Sequence, residues 1–301
     1  MRPATQTERT VAPFGAVTIR RRSARLTGVS LAVALNVLLV GLSIVALTPI
    51  AWMISTSLKP TGTEYEWPIR WIPDRVVLEN YVQAHTIMNF AVYYRNTMTI
   101  AVLSTLGATL TSTLAAYAFA RGRFIGRDFW FVVLLSTLML PDIVTLIPTY
   151  VIFRTLGWID TLYPLIVPSW LGGGAFFIFL ARQFFMTIPF ELDEAARIDG
   201  AGSFRIYWQI VMPLSGPVLA VVSTFTFVDK WTQFLTPLIY LNSDDLRTVA
   251  LGIALNKGLY NVHMNYLMAG SVTMTIPIIV LFFVAQRYFM KGIVLTGLAG
   301  R

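Results

Sequence analysis

The chain has 301 residues, of which 56% are hydrophobic and 13% are charged, and its formal net charge is +8. Soluble domains carry roughly 25% charged residues, so this composition excludes an ordinary soluble protein and indicates a membrane protein. The sequence contains no cysteine, which excludes disulfides and thiol redox chemistry. The basic excess does not predict nucleic-acid binding, because no stacking aromatic motif or nucleic-acid-binding fold accompanies it.

The sequence predicts an N-terminal tail, residues 1–28. It contains Thr, Ala and Pro but lacks the apolar core of a cleaved signal peptide. From residue 29 onward, several apolar runs reach the ~20 residues that cross a bilayer. They cover about residues 30–55, 97–120, 130–150, 165–186, 217–240 and 267–288. The sequence therefore predicts an all-α polytopic membrane protein, a single six-helix bundle over residues 29–301 without a second soluble domain.

The arginines predict the orientation of this bundle, because basic residues of short connecting segments stay on the cytoplasmic side. The tail region has six arginines up to Arg25, and Arg121, Arg123 and Arg127 follow the second predicted span. With an even number of spans, both termini are then expected in the cytoplasm of a multi-pass plasma-membrane protein. The loops 56–96, 153–163 and 241–266 are expected outside.

Small residues recur at every fourth position of the second predicted span, at Ser104, Ala108, Ser112, Ala116 and Ala120. Such a ridge lets membrane helices approach closely, so this span is predicted to be central and buried. Helix-breaking residues lie in or near other spans, at Pro141, Pro148, Pro237, Pro277 and Gly172 to Gly174. Each break is either a hinge that lines a cavity or a static kink.

Ionisable residues occur at predicted membrane depth, where an unpaired charge is costly, and are therefore expected to face the bundle interior. They are Asp142 of the third span and Asp229 and Lys230 of the fifth. Groups that bind sugar hydroxyls and ring faces lie near them in sequence: Tyr150, Trp231, Gln233 and Tyr240. Two interpretations remain open, a substrate pathway and a structural Asp142–Lys230 ion pair.

Residues 190–217 form a polar, amphipathic segment between apolar spans. Acidic residues load the first turns of a predicted helix with negative charge, which is favourable near a helix N-terminus. Gly200 and Gly202 end that helix, and a second apolar periodicity runs to Pro213. The segment thus predicts two short helices with a bend. They either dock in the groove of a partner protein or rest on lipid headgroups.

The motifs of this segment resemble the EAA loop by which bacterial permeases of ATP-binding-cassette (ABC) importers dock onto their ATPase. The matching residues are Glu194, Ala195, Ala196, Asp199, Gly200, Ile210 and Pro213, and Met212 is a departure. The sequence Glu-Ala-Ala-Arg-Ile-Asp-Gly-Ala is similar to that of maltose-type carbohydrate permeases. The segment 231–238 also resembles one in sugar permeases, with departures at Thr232 and Gln233, and the residues from Gln286 onward resemble the family's C-terminal ending.

The predicted outer loop includes residues 246–260, a mildly apolar run interrupted by Gly252, Asn256 and Gly258 and ending at Tyr260. It resembles the loop that, in maltose-type permeases, reaches into the cleft of the solute-binding protein. The alternative is a loop that packs only on its own bundle. His85 and His263 are too few and too far apart to predict a metal site.

The resemblance implies a permease subunit that translocates a di- or oligosaccharide delivered by an extracytoplasmic binding protein. It implies as partners a second, homologous permease and two ATPase subunits, which bind ATP and Mg; this chain has no cofactor and no phosphate-binding loop of its own. One alternative is a permease for a polyol phosphate. Another is an ion-coupled secondary transporter, which would use Asp142, Asp229 and Lys230 for coupling.

Overall fold

The structure, a computed structural model, describes the backbone of residues 20–259 and 263–298 and the side chains of residues 31–255 and 263–287. These ranges are α-helical and contain no β-strand, which confirms the predicted all-α class. The described backbone excludes residues 1–19 of the predicted tail, residues 260–262, which include Tyr260, and the last three residues.

The described α-helices are joined by 3-10, π or irregular connections, the longest of which is residues 58–78. They are α1 (Arg20–Ser57), α2 (Glu79–Ile87), α3 (Phe90–Arg121), α4 (Arg127–Ser136), α5 (Asp142–Thr155), α6 (Tyr163–Ile166), α7 (Ala175–Thr187), α8 (Glu191–Ile198), α9 (Ser203–Ile206), α10 (Met212–Leu214), α11 (Gly216–Thr232), α12 (Leu235–Tyr240), α13 (Val249–Leu259) and α14 (Met264–Leu298).

Membrane spans take two forms in the described residues. Four stretches are long and apolar enough to cross a membrane: Leu31–Ser57, Phe90–Arg121, Tyr163–Thr187 and Met264–Arg287. Two further candidates are bent pairs, Arg127–Met139 with Asp142–Thr155 at 100° and Ser203–Leu214 with Gly216–Thr232 at 83°. Counting each bent pair as one span gives six, the predicted number. The second pair, however, ends at Thr232 and includes Ser203–Leu214, which the sequence placed in the polar segment before the predicted fifth span 217–240.

The chain divides into two compact units at Trp52. In the first unit, α1 begins at Arg20, whereas the sequence predicted a tail through residue 28. The helix extends beyond the apolar run because Arg, Ala and Leu, which dominate this stretch, favour helix. Residues 31–51 are all exposed within their unit, as expected for the apolar surface of a membrane helix.

In the second unit, α3 is the central helix and packs against α7 and α11. Its Ser104, Ala108, Ser112 and Ala116 are at most 1% exposed, which confirms these four positions of the predicted small-residue ridge, whereas Ala120, the fifth, is only partly buried. The reason is close approach: a Cβ placed on Gly173 would lie 2.6 Å from the backbone oxygen of Ala108. Helix α14 packs against α11 and α2 on the other side.

The long helix α3 separates two ends of this unit. The α8 end has a core of residues from α3, α7, the α9–α10 region and α11: Ala116, Tyr117, Ile178, Ala181, Phe185, Ile188, Ile206, Tyr207, Val211, Val218 and Val222. The α13 end has a core from α2, α3, α13 and α14: Ala84, Met88, Phe90, Tyr93, Val249, Leu267 and Ala269.

Two predicted spans are broken rather than straight. Leu140 is extended (ψ 116°), because a following proline disfavours helical backbone, and Pro141 then directs the chain into α5. Helix α11 ends at Thr232, where Gln233 is extended (ψ 128°), and α12 continues the predicted fifth span. Pro148 and Pro277, by contrast, lie inside continuous helices.

Candidate functional site

The segment 190–217 folds as two short helices joined at glycine, as its pattern predicted. Gly200 has φ +81°, its N–H donates to the Arg197 carbonyl (3.0 Å), and the Ala201 N–H donates to the Ala196 carbonyl (2.9 Å). These are the two bonds of a Schellman motif, which requires the left-handed conformation that glycine adopts freely. Helix α9 begins after Gly202, which is extended. Gly200 therefore sets the angle between α8 and α9.

The second half of the segment differs from a simple amphipathic helix. After α9 the chain forms a π-helical turn, Tyr207–Val211, and Pro213 occupies the first turn of α10. Tyr207 and Val211 are buried, and Ile210 packs beside them. The sequence predicted Tyr207 and Val211 on one apolar face with Phe204 and Trp208. Phe204 and Trp208 instead point outward. The wider π turn divides the apolar residues between the core and the surface.

The outward side of α8 and α9 exposes large apolar side chains, with Ile198 87% and Phe204 69% exposed. The α8–α9 surface consists of these exposed residues and their exposed neighbours: Glu191, Leu192, Glu194, Ala195, Arg197, Ile198, Asp199, Phe204, Arg205 and Trp208. Of the apolar residues of α8, Ala196 packs on the core, whereas Leu192, Ala195 and Ile198 are exposed. An exposed apolar group with a charged margin is typical of a surface that binds another protein.

Sequence reasoning missed the most buried acidic residue of this segment. Asp193 belongs to the acidic first turn of α8, yet its side chain is fully buried and faces Arg121 at the end of α3. The signal in the sequence is an arginine at the last position of an apolar span, where it can reach back to cover helix ends. This pattern does not identify the partner of the arginine, because residues 121 and 193 are far apart in the chain.

A second feature, the cavity at the α12 break, has a volume of about 480 Å³. Its walls come from the N-terminal part of α5 and from the chain at and after Gln233: Asp142, Ile143, Thr145, Leu146, Thr149, Gln233, Leu235, Thr236 and Tyr240. Asp142 is the first residue of α5, where the helix N-terminus stabilises a negative charge. The cavity thus combines a carboxylate, an amide, hydroxyls and an aromatic ring, which are hydrogen-bonding and stacking groups for a polyhydroxylated molecule.

The predicted Asp142–Lys230 ion pair is wrong for the described structure. The Lys230 ammonium lies 3.5 Å from the carboxylate of its neighbour Asp229, and neither residue lines the cavity at the α12 break. The prediction counted depth along straight helices, whereas both helices are interrupted beside these residues. Asp229 is 62% exposed. Of the three charged candidates, only Asp142 reaches the cavity.

The aromatic candidates have separate positions. Trp231 is fully buried and its ring N–H donates to the Met274 carbonyl (2.9 Å), so it packs α11 against α14 and does not line the cavity. Tyr150 stacks on the cavity residue Tyr240, with ring centroids 6.3 Å apart. The structure therefore brings Asp142, Gln233 and Tyr240 to one cavity and places Tyr150 behind it.

Asp160, which sequence reasoning did not single out, fixes the chain after α12. Its carboxylate accepts hydrogen bonds from the backbone N–H groups of Asn242 (2.9 Å) and Ser243 (2.8 Å), and its own N–H donates to the Tyr240 carbonyl (2.8 Å). The Ser243 hydroxyl and these backbone bonds hold the pKa of Asp160 below its ordinary value. Asp160 thereby holds the cavity residue Tyr240 in place.

The predicted outer loop 246–260 is largely the helix α13, and its beginning packs on the bundle. Val249 and Leu251 are fully buried, and the Val249 N–H donates to the Thr97 hydroxyl (2.9 Å). Gly252 is buried too, and a Cβ there would overlap the ring of Tyr93. Ala254 is exposed on the other side of α13. Asn256 and Gly258 belong to α13, with side chains outside the described ones, and Tyr260 lies outside the described backbone.

Comparison with known proteins gives consistent matches. A family model described as "Binding-protein-dependent transport system inner membrane component" matches residues 107–294. The arabinooligosaccharides transport system permease protein AraQ of Halalkalibacterium halodurans is 31% identical, covering 86% of this chain and 93% of that protein. The sn-glycerol-3-phosphate transport system permease protein UgpE of Brucella abortus is 34% identical, covering 86% and 94%.

The fold has a counterpart among solved structures. A chain of a bacterial ABC transporter involved in the import of the acidic polysaccharide alginate matches with a TM-score of 0.75 at 24% identity. The match covers 92% of this chain and 100% of that chain. The likeness extends to nearly the whole helical arrangement.

Proposed function

This chain belongs to the family of binding-protein-dependent transport system inner membrane components, and we propose that it lines the membrane pathway of an importer for a neutral di- or oligosaccharide. The observation that carries this proposal is the cavity at the α12 break. Its hydroxyl, amide and carboxylate groups match the many hydroxyls of a sugar, and Tyr240 offers a ring face.

The charge of this cavity favours a neutral sugar over the alternative, a polyol phosphate such as the substrate named for UgpE. Its lining contains the carboxylate of Asp142 and no Lys or Arg among the described residues. Phosphate recognition in proteins relies on basic side chains or helix N-termini. Here the N-terminus of α5 already carries the negative charge of Asp142, which would repel a phosphate group.

The α8–α9 surface is proposed to dock onto an ATPase. Interfacial helices that rest on anionic lipid expose a polar face rich in Lys and Arg, whereas the exposed charges here are mixed, with Glu191, Glu194 and Asp199 beside Arg197 and Arg205. Small Ala195 at its centre allows the helix to lie deep in a partner groove. These features support a protein partner over a lipid surface. The proposal puts this surface and both chain termini on the cytoplasmic side, in agreement with the arginine distribution of the sequence.

The proposed assembly contains a second, homologous permease, two ATPase subunits that bind ATP and Mg, and an extracytoplasmic sugar-binding protein. In this proposal the ATPase subunits hydrolyse ATP, and no cofactor is assigned to this chain. Closure of the ATPase pair would move the two α8 helices of the permeases and switch the pathway from inward-facing to outward-facing. The bends at Leu140 and Gln233 lie beside the cavity, where such a movement would change its access.

Replacing Asp142 tests the cavity. Asp142→Asn should lower sugar uptake by reconstituted importer about tenfold, because a hydrogen bond to a charged group is worth roughly 1.5–3 kcal/mol. The matched control is Asp229→Asn, which removes a carboxylate outside the cavity and should change uptake little. Uptake of radiolabelled sugar into proteoliposomes measures both.

Two results would contradict this assignment. One is normal uptake by Asp142→Asn together with reduced uptake by Asp229→Asn. The other is restoration of the Asp142→Asn variant by Lys230→Met, since the structure pairs Lys230 with Asp229. Uptake of sn-glycerol 3-phosphate by the wild-type importer would favour the polyol-phosphate alternative.

The far part of the 246–260 segment is proposed to contact the binding protein. Since the chain has no natural cysteine, single cysteines report contacts directly. Ala254→Cys should form crosslinks with the binding protein when the importer is trapped with ATP, because Ala254 is exposed. Gly252→Cys is the control and should form none, because it is buried against Tyr93. Equal crosslinking of Ala254→Cys in every state of the cycle would support a loop that serves only its own bundle.

A further inference from the structure

Arg121 joins the ends of three helices at the α8 end. It is the last residue of α3, and its Nη2 donates to the backbone oxygens of Phe185 (2.8 Å) and Ile188 (2.5 Å), at the end of α7. Its Nη1 lies 3.8 Å from Oδ1 of Asp193 on α8. The guanidinium carbon lies 5.2 Å from the ring centre of Phe190, just before α8. One side chain therefore contacts α7 and α8 from the end of α3.

Both members of this ion pair are removed from solvent, with the Arg121 side chain 4% and the Asp193 side chain 0% exposed. Within the described part of the chain, neither carboxylate oxygen of Asp193 has a hydrogen-bond partner, and neither has Nε of Arg121 or the buried hydroxyl of Tyr117. A buried charge requires a close partner and satisfied hydrogen bonds to offset its desolvation. The Arg121–Asp193 pair is therefore buried without all the hydrogen bonds that would offset its desolvation.

The distance between the two charges leaves room for movement. Charge-assisted hydrogen bonds between nitrogen and oxygen have lengths of about 2.7–2.9 Å, whereas this pair is separated by 3.8 Å. A displacement of α8 toward α3 by about 1 Å would bring Asp193 into hydrogen-bonding distance of the Arg121 fork. The same displacement would give a hydrogen bond to a carboxylate oxygen of Asp193, which has none here.

We propose that Arg121 and Asp193 are positioning residues that transmit displacement of α8 to α3 and α7 through a buried ion pair that loosens and tightens. This inference rests on the proposed function, in which α8 receives the force from the ATPase. Arginine suits this role because Nη2 of its planar guanidinium donates to the carbonyls at the end of α7 while Nη1 lies toward Asp193. Helix α3 then carries the movement along its contacts with α7 and α11.

The proposal distinguishes a moving joint from a static anchor. An anchor that only holds the fold is most stable when its buried charges are fully hydrogen-bonded. The neutral link between the π-helical turn and α3 is satisfied in this way, since the hydroxyls of Tyr207 and Thr113 are 2.9 Å apart in a buried hydrogen bond. The Arg121–Asp193 pair differs from that link in having unsatisfied groups on both sides.

The test uses the complete importer in proteoliposomes, with Arg121→Gln, Asp193→Asn and the double variant. The measured quantities are sugar taken up per ATP hydrolysed and the amount of ATPase subunit that co-purifies. Each single variant should lower uptake per ATP about tenfold while the ATPase still co-purifies, because each leaves its buried partner without the other charge. The double variant should lose less than the product of the single losses, because the two residues interact.

Arg182→Gln is the matched control. Arg182 lies on α7, its Nε donates to the Phe119 carbonyl (3.3 Å), and its guanidinium carbon lies 4.1 Å from the ring centre of Phe131. These contacts join α7 to α3 and α4, so the control removes a second partly buried arginine of the same end without the α8 pair. Its uptake per ATP should stay within about twofold of wild type, as expected for a site outside the coupled pair.

Wild-type uptake per ATP in both single variants, or strictly multiplicative losses in the double variant, would overturn the proposal. If Arg121→Gln fails to accumulate, Arg121→Lys takes its place. A lysine keeps the charge but has no fork to hold the carbonyls and Asp193 together, so intermediate uptake per ATP is expected and full uptake would refute the joint. Failure of the proposed function has a different signature, namely a wild-type chain that does not co-purify with an ATPase.

Discussion

Gly200→Val should abolish transport-coupled ATP hydrolysis while the protein still inserts into the membrane. Gly200 has φ +81°, a conformation that a β-branched residue adopts only at a cost of about 1–3 kcal/mol. No atom lies within 4 Å of a Cβ built there, so the effect comes from the backbone and not from a clash. Valine would unwind the end of α8 and change the angle at which α8 and α9 meet the ATPase.

Gly202→Val is the matched control for this prediction. Gly202 is extended (φ −71°, ψ 162°), a conformation open to valine, and it too has free space around its Cβ position. The same substitution two residues further on should therefore retain most activity. ATPase stimulation by sugar-loaded binding protein, measured with co-purification of the ATPase, compares the variants. Normal stimulation of Gly200→Val would refute the assignment of this segment as the ATPase contact.

The sequence predicted those parts of the structure that depend on local chemistry. The acidic first turn of α8 and the glycine at its end determine a short helix and a bend without reference to the rest of the chain. The burial of α3 was predictable for a similar reason, because small residues at every fourth position favour only close helix packing. Each of these sequence patterns lies within a single helix or at its end.

Other parts depend on tertiary packing and were not predictable. Pro141 predicts an interruption, but the size of the bend that follows, 100°, is not contained in the local pattern. That bend made a depth count along a straight helix invalid, and the Asp142–Lys230 pair was wrong for this reason. The burial of Asp193 depends equally on Arg121, whose position relative to α8 no local pattern contains.

Gly252 illustrates the same limit at the α13 end. The sequence predicted it in an outer loop, as one of the residues that interrupt an apolar run and as a candidate contact of the binding protein. In the structure it is buried where α13 crosses the ring of Tyr93, so glycine serves close packing there and not flexibility. Distinguishing these two uses of glycine requires knowledge of the neighbouring helix.

Gly173→Ala should lower the stability of the permease more than any other single-methyl addition in the glycine run 172–174. A Cβ at Gly173 would lie 2.6 Å from the backbone oxygen and 2.8 Å from the Cα of Ala108. Backbone atoms of a central helix cannot yield as a flexible side chain can, so the α7 entry must move away from α3. Overpacking of this kind costs about 1–3 kcal/mol, occasionally more.

Gly172→Ala separates this clash from conformational strain. Gly172 has φ +108°, further from the left-handed region open to alanine than the +66° of Gly173, yet its nearest Cβ neighbour is the Ile178 Cδ1 atom at 3.8 Å. Strain alone would therefore make Gly172→Ala the more harmful change, whereas close helix approach makes Gly173→Ala the more harmful one. We expect the midpoint of thermal unfolding in detergent to fall further for Gly173→Ala. The reverse order would mean that α3 and α7 do not approach closely at Ala108, and that the small-residue ridge of α3 is not what packs these helices together.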